Sequence, residues 1–404
     1  MSQPAFGRGR TWGILTVATG IHALSASTVF VIPAIAPKIA QSLGTTTALI
    51  GLQVTLVYIG AMIMSVFAGS LVARLGSARA SQLSFLISVA GLGLATAPSL
   101  PLLGVASFIL GMGYGMINPP TGVMLERVAT PNTRGLLFSI KQTAVPLGGI
   151  IAGLIGPSCA LLLGWRGALL VVAAIALVTI CLLQIDTAAH SSPSAPSFGS
   201  RPTLLPDLQL VWSIVPLRWI TFAAFCFAGV QVTLTTYLVV LLVENVGLGL
   251  VAAGIGLSIF QAAALTGRVC WGLVADATKS GLVVLAVAFA AGLLSILPIP
   301  FMSADWSLGA VYFCLAVLGV ACAGWNGVYV SEIVRFAPPG AAARTIGGSF
   351  VYSFGGTVAV PVLFALVHHR LHSYSAGVWL IVFMAIAGCF CALRALSSAR
   401  VRRS

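Results

Sequence analysis

Three ionisable side chains, Lys141, Arg268 and His22, interrupt long apolar segments of this sequence. An ionisable group inside such a segment is costly, so it usually faces a partner or a water-filled cavity. The Arg268 guanidinium could hold a carboxylate in a bidentate fork. Lys141 has no acidic neighbour in sequence, so its ammonium is expected to meet an anion or to lose its proton. An imidazole exchanges protons near physiological pH, which makes His22 a candidate proton carrier.

Each of these residues also has a purely structural explanation. Arg268 could extend its stem to the end of its segment or pair with Asp276, and Lys141 could extend in the same way. His22 could be a hydrogen-bonded packing residue. The sequence leaves both explanations open for all three.

A second set of candidates is neutral. Their amides and hydroxyls could line a substrate cavity, or they could join neighbouring helices by hydrogen bonds. Gln261 precedes Arg268 by seven residues, so the two share a helical face. The candidate substrate-binding residues are Arg268, Lys141, Gln142, Gln231, Gln261, Asn118, Asn326 and Tyr352, with His22 for proton coupling.

Other charged residues cluster where the apolar segments end. Glu126 and Glu332 each lie close in sequence to arginines, so we expect them to form ion pairs that open and close during a working cycle. The candidate gating residues are Asp276, Arg74, Glu126, Arg134, Glu332 and Arg344.

The composition identifies the surroundings of the chain. Of its 404 residues 59% are hydrophobic and only 7% are charged, whereas soluble domains carry about 25% charged residues. The apolar segments are about 20 residues long, which is the length of a helix that crosses a bilayer. The short alternating strands of a membrane barrel are not seen. We therefore predict an all-α membrane protein, whose first apolar segment is retained as a helix rather than removed as a signal peptide.

Twelve transmembrane helices account for the apolar segments. A Ser- and Pro-rich stretch divides them into two bundles of six, which places residues 1–184 in an N-terminal bundle, 185–217 in a flexible cytoplasmic linker and 218–404 in a C-terminal bundle. The predicted spans are 12–34, 47–71, 80–98, 101–124, 136–162, 166–184, 218–243, 249–274, 281–300, 307–330, 343–367 and 375–395.

The basic residues indicate the orientation. With a cytoplasmic N-terminus, 16 of the 20 lysines and arginines face the cytoplasm, and only Lys38, Arg166 and Arg370 face outward. Such an excess is typical of cytoplasmic loops. We therefore predict a multi-pass protein of a bacterial-type inner membrane with both termini in the cytoplasm.

The two halves also repeat each other. The fourth span contains Gly111, Gly115 and Asn118, and the tenth contains Gly319, Gly324 and Asn326 in a similar order. Two six-helix repeats with a site near the midplane are typical of secondary transporters.

The loop from Gly69 to Gly76, which contains Leu71, Ala73 and Arg74, resembles the signature between helices two and three of the major facilitator superfamily. The second half contains a counterpart at 272–276. This resemblance implies two pseudo-symmetric bundles and solute transport by alternating access. The first copy carries Ala73 where the superfamily signature has an acidic residue, which places the usual charge relay of that side in doubt.

Two shorter stretches resemble one group of branches within that superfamily. Arg268 followed by the 272–276 loop is similar to the monocarboxylate and oxalate/formate carriers, in which this position is associated with the anionic group of the substrate. The stretch 139–149, with Lys141, Gln142 and Pro146, is similar to cyanate-permease-like carriers. The resemblance implies an organic anion as substrate.

Several functions are disfavoured. The net charge of +13 arises from short loops rather than a basic patch, so no nucleic-acid partner is expected. No nucleotide-binding loop, catalytic pair or zinc motif occurs, so we expect no enzyme activity, no metal and no cofactor. A sensor would be expected to add a soluble signalling domain.

The leading hypothesis is a monomeric, proton-coupled carrier of a small organic anion. It rests on the two embedded cations, because none of the seven acidic residues lies deep in a span. An exporter of cations would be expected to carry an embedded acid. An exporter of neutral amphiphilic or drug-like compounds is the alternative.

Overall fold

The computed structural model describes residues 8–126, 128, 134–190, 204–338, 342–371 and 373–401. Every regular element in these ranges is a helix. The chain divides into two compact units, Met1–Gly199 and Ser200–Ser404.

The first unit contains nine helices in its described part. Their bounds are Arg8–Ala34 (α1), Ala36–Leu43 (α2), Thr47–Gly51 (α3), Gln53–Leu75 (α4), Ser77–Ala95 (α5), Leu100–Met116 (α6), Asn118–Glu126 (α7), Arg134–Gln142 (α8) and Ala144–His190 (α9).

The second unit contains eight α-helices and one short 3₁₀ helix, Ile299–Phe301, in its described part. The α-helices are Leu204–Ser213 (α10), Val215–Glu244 (α11), Leu250–Thr278 (α12), Gly281–Ile296 (α13), Leu308–Ala323 (α14), Asn326–Phe336 (α15), Ala342–Leu371 (α16) and Tyr374–Val401 (α17).

The predicted spans all correspond to helical segments. Ten segments of the described chain are long and apolar enough to cross a membrane, and Gln53–Ser65 is a shorter apolar one. The segment Ile140–Leu183 contains two spans, because Gly164 has a φ of 75° that interrupts α9. A positive φ of this size is accessible to glycine at little cost, so Gly164 makes the turn between them. The all-α membrane fold is therefore confirmed.

Large apolar side chains cover much of the surface. Leu162 is 83% exposed, Phe313 is 70% exposed and Phe383 is 66% exposed. A water-soluble monomer rarely exposes wide apolar patches. In a chain with membrane-length helices, such side chains are placed to contact lipid.

Glycines allow the helices of each unit to approach closely. A Cβ on Gly111 would collide with the backbone of Val57, so α6 packs directly on α4. A Cβ on Gly319 would collide with the carbonyl of Phe260 in the same way, so α14 packs on α12. Small residues at such contacts let backbones meet, which is how helices associate in lipid. The predicted repeat is thus visible as equivalent packing within each unit.

Four predicted spans are divided between two α-helices rather than continuous, and the second of the twelve is divided into α3 and α4 at Leu52. The fourth is divided into α6 and α7 at Ile117, the fifth into α8 and α9 at Thr143, and the tenth into α14 and α15 after Ala323. Proline explains two of these breaks, because it has no N–H to donate to the carbonyl four residues earlier. Pro119 and Pro120 follow the first break, and Pro146 follows the second.

The predicted flexible linker is partly helical. Helix α9 continues to His190, and α10 lies within the stretch 185–217. Helix α10 packs against α16 and α11 of its own unit. The Ser- and Pro-rich residues 191–203 lie outside the described residues.

Candidate substrate site

Lys141 is buried in the first unit, with 4% of its surface exposed. Its Nζ donates to the carbonyl oxygen of Asn118 at 3.2 Å and to the Asn118 side-chain Oδ1 at 3.1 Å. Asn118 itself is exposed. The buried ammonium is therefore bound by two oxygens of Asn118, the exposed residue that begins α7.

The broken helices explain why these two residues meet. Lys141 occupies the last turn of α8, just before the break at Thr143, and Asn118 begins α7 just after the break at Ile117. At each break a backbone N–H donates to the carbonyl three residues earlier: Thr143 donates to Ile140, and Ile117 donates to Tyr114. Proline residues after each break leave carbonyls without their usual partners. Irregular backbone at membrane depth is tolerated where it is buried in protein or lines a cavity.

The ammonium of Lys141 forms no ion pair in the described part of the chain. Both acceptors of its ammonium are amide oxygens. A lysine ammonium has three N–H donors, so one donor remains available after the two bonds to Asn118. The arrangement provides a positive, partly hydrogen-bonded site.

The second unit contains a related arrangement at the break of the tenth span. The Arg268 Nε donates to the carbonyl oxygen of Ala323 at 3.4 Å, at the C-terminal end of α14. The Asn326 Nδ2 lies 3.4 Å from the same carbonyl and 3.3 Å from the Gln231 side-chain oxygen. The structure therefore brings three predicted substrate residues, Arg268, Asn326 and Gln231, to one helix break. A cation at a helix C-terminus is favoured by the helix dipole.

Arg268 is not paired with Asp276. Asp276 is exposed and forms no ion pair among the described residues. The explanation in which these two residues neutralise each other is therefore wrong. Trp271, which the sequence analysis did not single out, provides a further bond between α12 and α14, because its indole donates to the Val320 carbonyl at 2.9 Å.

His22 is fully buried in α1, and its ring centroid lies 6.2 Å from that of Tyr114 on α6. Two hydroxyls on the same helix, Thr19 and Ser25, are also buried. The structure thus places His22 in the interior of the first unit. Its role in proton coupling stays a prediction.

Among the described residues, no hydrogen bond joins the remaining predicted substrate residues to either arrangement. Gln142 is exposed beside Lys141, and Gln261 is buried on α12, one face with Arg268. Tyr352 stacks on Trp212 of α10, with ring centroids 6.1 Å apart. Tyr352 therefore contacts the helix within the predicted linker.

The family model described as Major Facilitator Superfamily matches residues 15–361. The chain belongs to the major facilitator superfamily. Members of this superfamily are membrane transporters, so the protein is a transporter rather than an enzyme.

Relatives within the superfamily agree with this assignment. An uncharacterised MFS-type transporter of Mycobacterium tuberculosis is 26% identical over 352 residues, which cover 86% of this chain and 77% of that protein. A protein of Parachlorella kessleri named H(+)/hexose cotransporter 2 is 35% identical over 99 residues, which cover 24% of this chain and 18% of that protein.

A solved structure shares the fold. A bacterial homologue of the human lysosomal transporter Spinster, in an inward-facing and unoccupied conformation, superposes with a TM-score of 0.77 at 15% sequence identity, and 98% of each chain is covered. The similarity extends over the full superfamily fold.

The charged residues at helix ends can be placed against the superfamily pattern. Gly76, with a φ of 80°, turns the chain between α4 and α5 at the end of the signature loop, and Arg74 in that loop is exposed. In the second unit Glu332 is buried and pairs with Arg335, with 2.7 Å between Oε2 and Nη2. The side chains of Glu126, Arg134 and Arg344 lie outside the described residues. Gating by these groups stays a prediction.

Proposed function

We propose that this transporter carries a small organic anion of the monocarboxylate type by alternating access, coupled to protons. The observation that carries the proposal is the environment of Lys141, whose buried ammonium is bound by two amide oxygens and by no carboxylate in the described chain. A buried cation is stabilised by an anion that reaches it, and a charged hydrogen bond contributes about 1.5–3 kcal/mol. A solute with a carboxylate satisfies the remaining N–H of Lys141.

Arg268 supplies a second cationic group in the other unit. Its Nε donates to the Ala323 carbonyl, and that contact is long at 3.4 Å. A guanidinium has five N–H donors, and a carboxylate accepts two of them in a planar fork. The proposal therefore assigns the carboxylate of the solute to Lys141 in one stage of transport and to Arg268 in another.

A neutral solute is the rival proposal. The relative from Parachlorella kessleri is named for a hexose, and its match covers only part of this chain. Its name also includes a proton, which is consistent with coupling to protons in the present chain. The helix breaks would bind hydroxyls of a neutral solute through Asn118, Asn326 and Gln231.

Uptake into proteoliposomes distinguishes these proposals. Purified protein is tested with a panel of radiolabelled short-chain monocarboxylates and with their neutral carboxamides, with and without an inward proton gradient. We expect saturable uptake of at least one carboxylate, accelerated by the gradient. Uptake of the amide at the rate of its carboxylate would favour the neutral-solute proposal.

Replacing Arg268 by alanine tests the second cation. We expect the KM for the carboxylate to rise about tenfold or more, because a charge-assisted hydrogen bond is lost. Arg79→Ala is a matched control, because Arg79 is exposed on α5 and forms no ion pair among the described residues. An unchanged KM in Arg268→Ala would remove Arg268 from the site.

Replacing His22 by glutamine tests the coupling residue. Glutamine keeps hydrogen-bonding groups but does not titrate, so we expect carboxylate uptake to lose its response to the proton gradient while exchange without a gradient continues. The measurement is initial uptake at a series of external pH values. If the gradient still accelerates uptake as in the wild type, His22 does not carry the coupled proton.

We also propose that both termini face the cytoplasm and that the protein works as a monomer. The excess of basic residues in the loops of one side supports this orientation. In this orientation the ends of α7 and α15 lie on the cytoplasmic side, and the proposed gating residues are Glu126, Glu332, Asp276, Arg74, Arg134 and Arg344.

A further inference from the structure

We infer that Asn118 determines the charge of the transported solute, because it holds Lys141 by neutral oxygens and so leaves the positive charge of the ammonium for the solute. This inference rests on the proposed transport of anions. It concerns a residue that touches the cation rather than the cation itself.

The geometry distinguishes Asn118 from an ordinary packing asparagine. The Asn118 Oδ1 lies 3.1 Å from the Lys141 Nζ, and the Asn118 carbonyl oxygen lies 3.2 Å from the same atom. The residue therefore chelates the ammonium through its backbone and its side chain together. Two bonds to one residue restrict the Lys141 side chain to fewer rotamers than a single bond to the Asn118 side chain would.

Asn118 also differs from Lys141 in solvent exposure. It is exposed, whereas Lys141 is 4% exposed. A solute that approaches Lys141 from the accessible side meets Asn118 first. Asn118 can contribute its amide N–H₂ to an arriving carboxylate while its oxygens keep the ammonium in place.

Aspartate at position 118 would change the charge of the site. Aspartate has nearly the same shape as asparagine, but it would place a carboxylate oxygen at hydrogen-bond distance from the ammonium. A paired lysine and aspartate carry no net charge, and a buried pair of this kind holds its partners strongly. The same site would then have no reason to select an anion. The residue type at 118 thus decides whether the site is positive or neutral.

The second unit repeats the pattern in a weaker form. Asn326 begins α15 as Asn118 begins α7, and its side chain shares the Ala323 carbonyl with Arg268. Its amide group contacts the neutral Gln231 oxygen rather than a carboxylate. The arrangement in each unit therefore combines one cation with one asparagine.

The test compares Asn118→Asp with Asn118→Ala in proteoliposomes, using a transported carboxylate and its carboxamide as probes. We expect Asn118→Asp to lower kcat/KM for the carboxylate about tenfold or more and to raise the ratio of amide to carboxylate uptake by a similar factor. We expect Asn118→Ala, which keeps the net positive charge, to retain the preference for the carboxylate.

Asn245→Asp is the matched control, since it makes the same chemical change after α11, where the side chain contacts no described lysine or arginine. Equal amounts of monodisperse protein must be recovered for all variants. If Asn118→Asp misfolds, the test uses Asn118→Ser and Asn118→Ala instead. The affinity of each variant for the carboxylate is compared with its affinity for the amide. Loss of the preference for the carboxylate in either variant overturns the inference.

The possible failures are distinguishable. If the wild type carries carboxylates and Asn118→Asp keeps the same preference, the inference on Asn118 is wrong and the proposed function stands. If the wild type carries no carboxylate, both are wrong.

Discussion

Replacing Lys141 by methionine should lower carboxylate uptake by about ten- to a hundredfold, because about 1.5–3 kcal/mol of charge-assisted hydrogen bonding is lost. Methionine keeps most of the length of the side chain, so the packing around the break is largely retained. It removes the ammonium that now donates to the two Asn118 oxygens. The measurement is the initial rate of uptake over a range of carboxylate concentrations.

Lys38→Met is the matched control for this experiment. Lys38 lies on α2, is half-buried and has no described hydrogen-bond or ion-pair partner for its side chain. We expect its uptake kinetics to match those of the wild type. Lys141→Arg keeps the charge with a different shape and should retain part of the activity. Wild-type kinetics in Lys141→Met would show that the ammonium does not contact the solute.

Replacing Gly111 by alanine should destabilise the first unit by about 1–3 kcal/mol, the typical cost of overpacking. The new methyl group would collide with the backbone of Val57, which cannot move aside as a side chain can. Gly356 provides the same test in the second unit, because its Cβ would collide with the Phe225 carbonyl. The apparent melting temperature of purified protein in detergent should fall by several degrees in each variant.

Gly93→Ala is the control for these substitutions. Gly93 lies within α5, and a Cβ there would meet nothing within 4 Å. We expect no loss of melting temperature, since alanine favours helix over glycine. If Gly111→Ala and Gly93→Ala melted at the same temperature, the close contact between α4 and α6 would not be essential.

The fold could be predicted from the sequence because it depends mainly on the length and spacing of the apolar segments. Long apolar segments give the number and approximate bounds of the helices, since a bilayer requires about 20 residues per crossing. The similar order of glycines around Gly111 and Gly319 also indicated the internal repeat.

The helix breaks could not be derived from the apolar pattern, because an interrupted helix is as apolar as a continuous one. A signal was nevertheless present. Pro119 and Pro120 directly follow Asn118, and Pro146 follows Lys141 by five residues. Prolines in the middle of a predicted span indicate carbonyls that need other partners. The pairing of Lys141 with Asn118 depends on two such breaks lying side by side, which sequence spacing does not reveal.

Two other features of the structure could not be derived from the sequence. The Ser- and Pro-rich part of the predicted linker concealed the helix α10, which follows it at Leu204–Ser213 and includes the buried Val211. Tyr352 was assigned by its residue type, but a hydroxyl within a span does not say which face of the helix carries it. Its ring packs on Trp212 of α10.

Equilibrium binding to the purified wild-type protein tests the account most directly. The affinity for a transported carboxylate is compared with the affinity for its carboxamide, which has nearly the same shape and no charge. The environment of Lys141 predicts that the carboxylate binds at least about tenfold more tightly. Equal affinities for the two compounds, or tighter binding of the amide, would contradict the account.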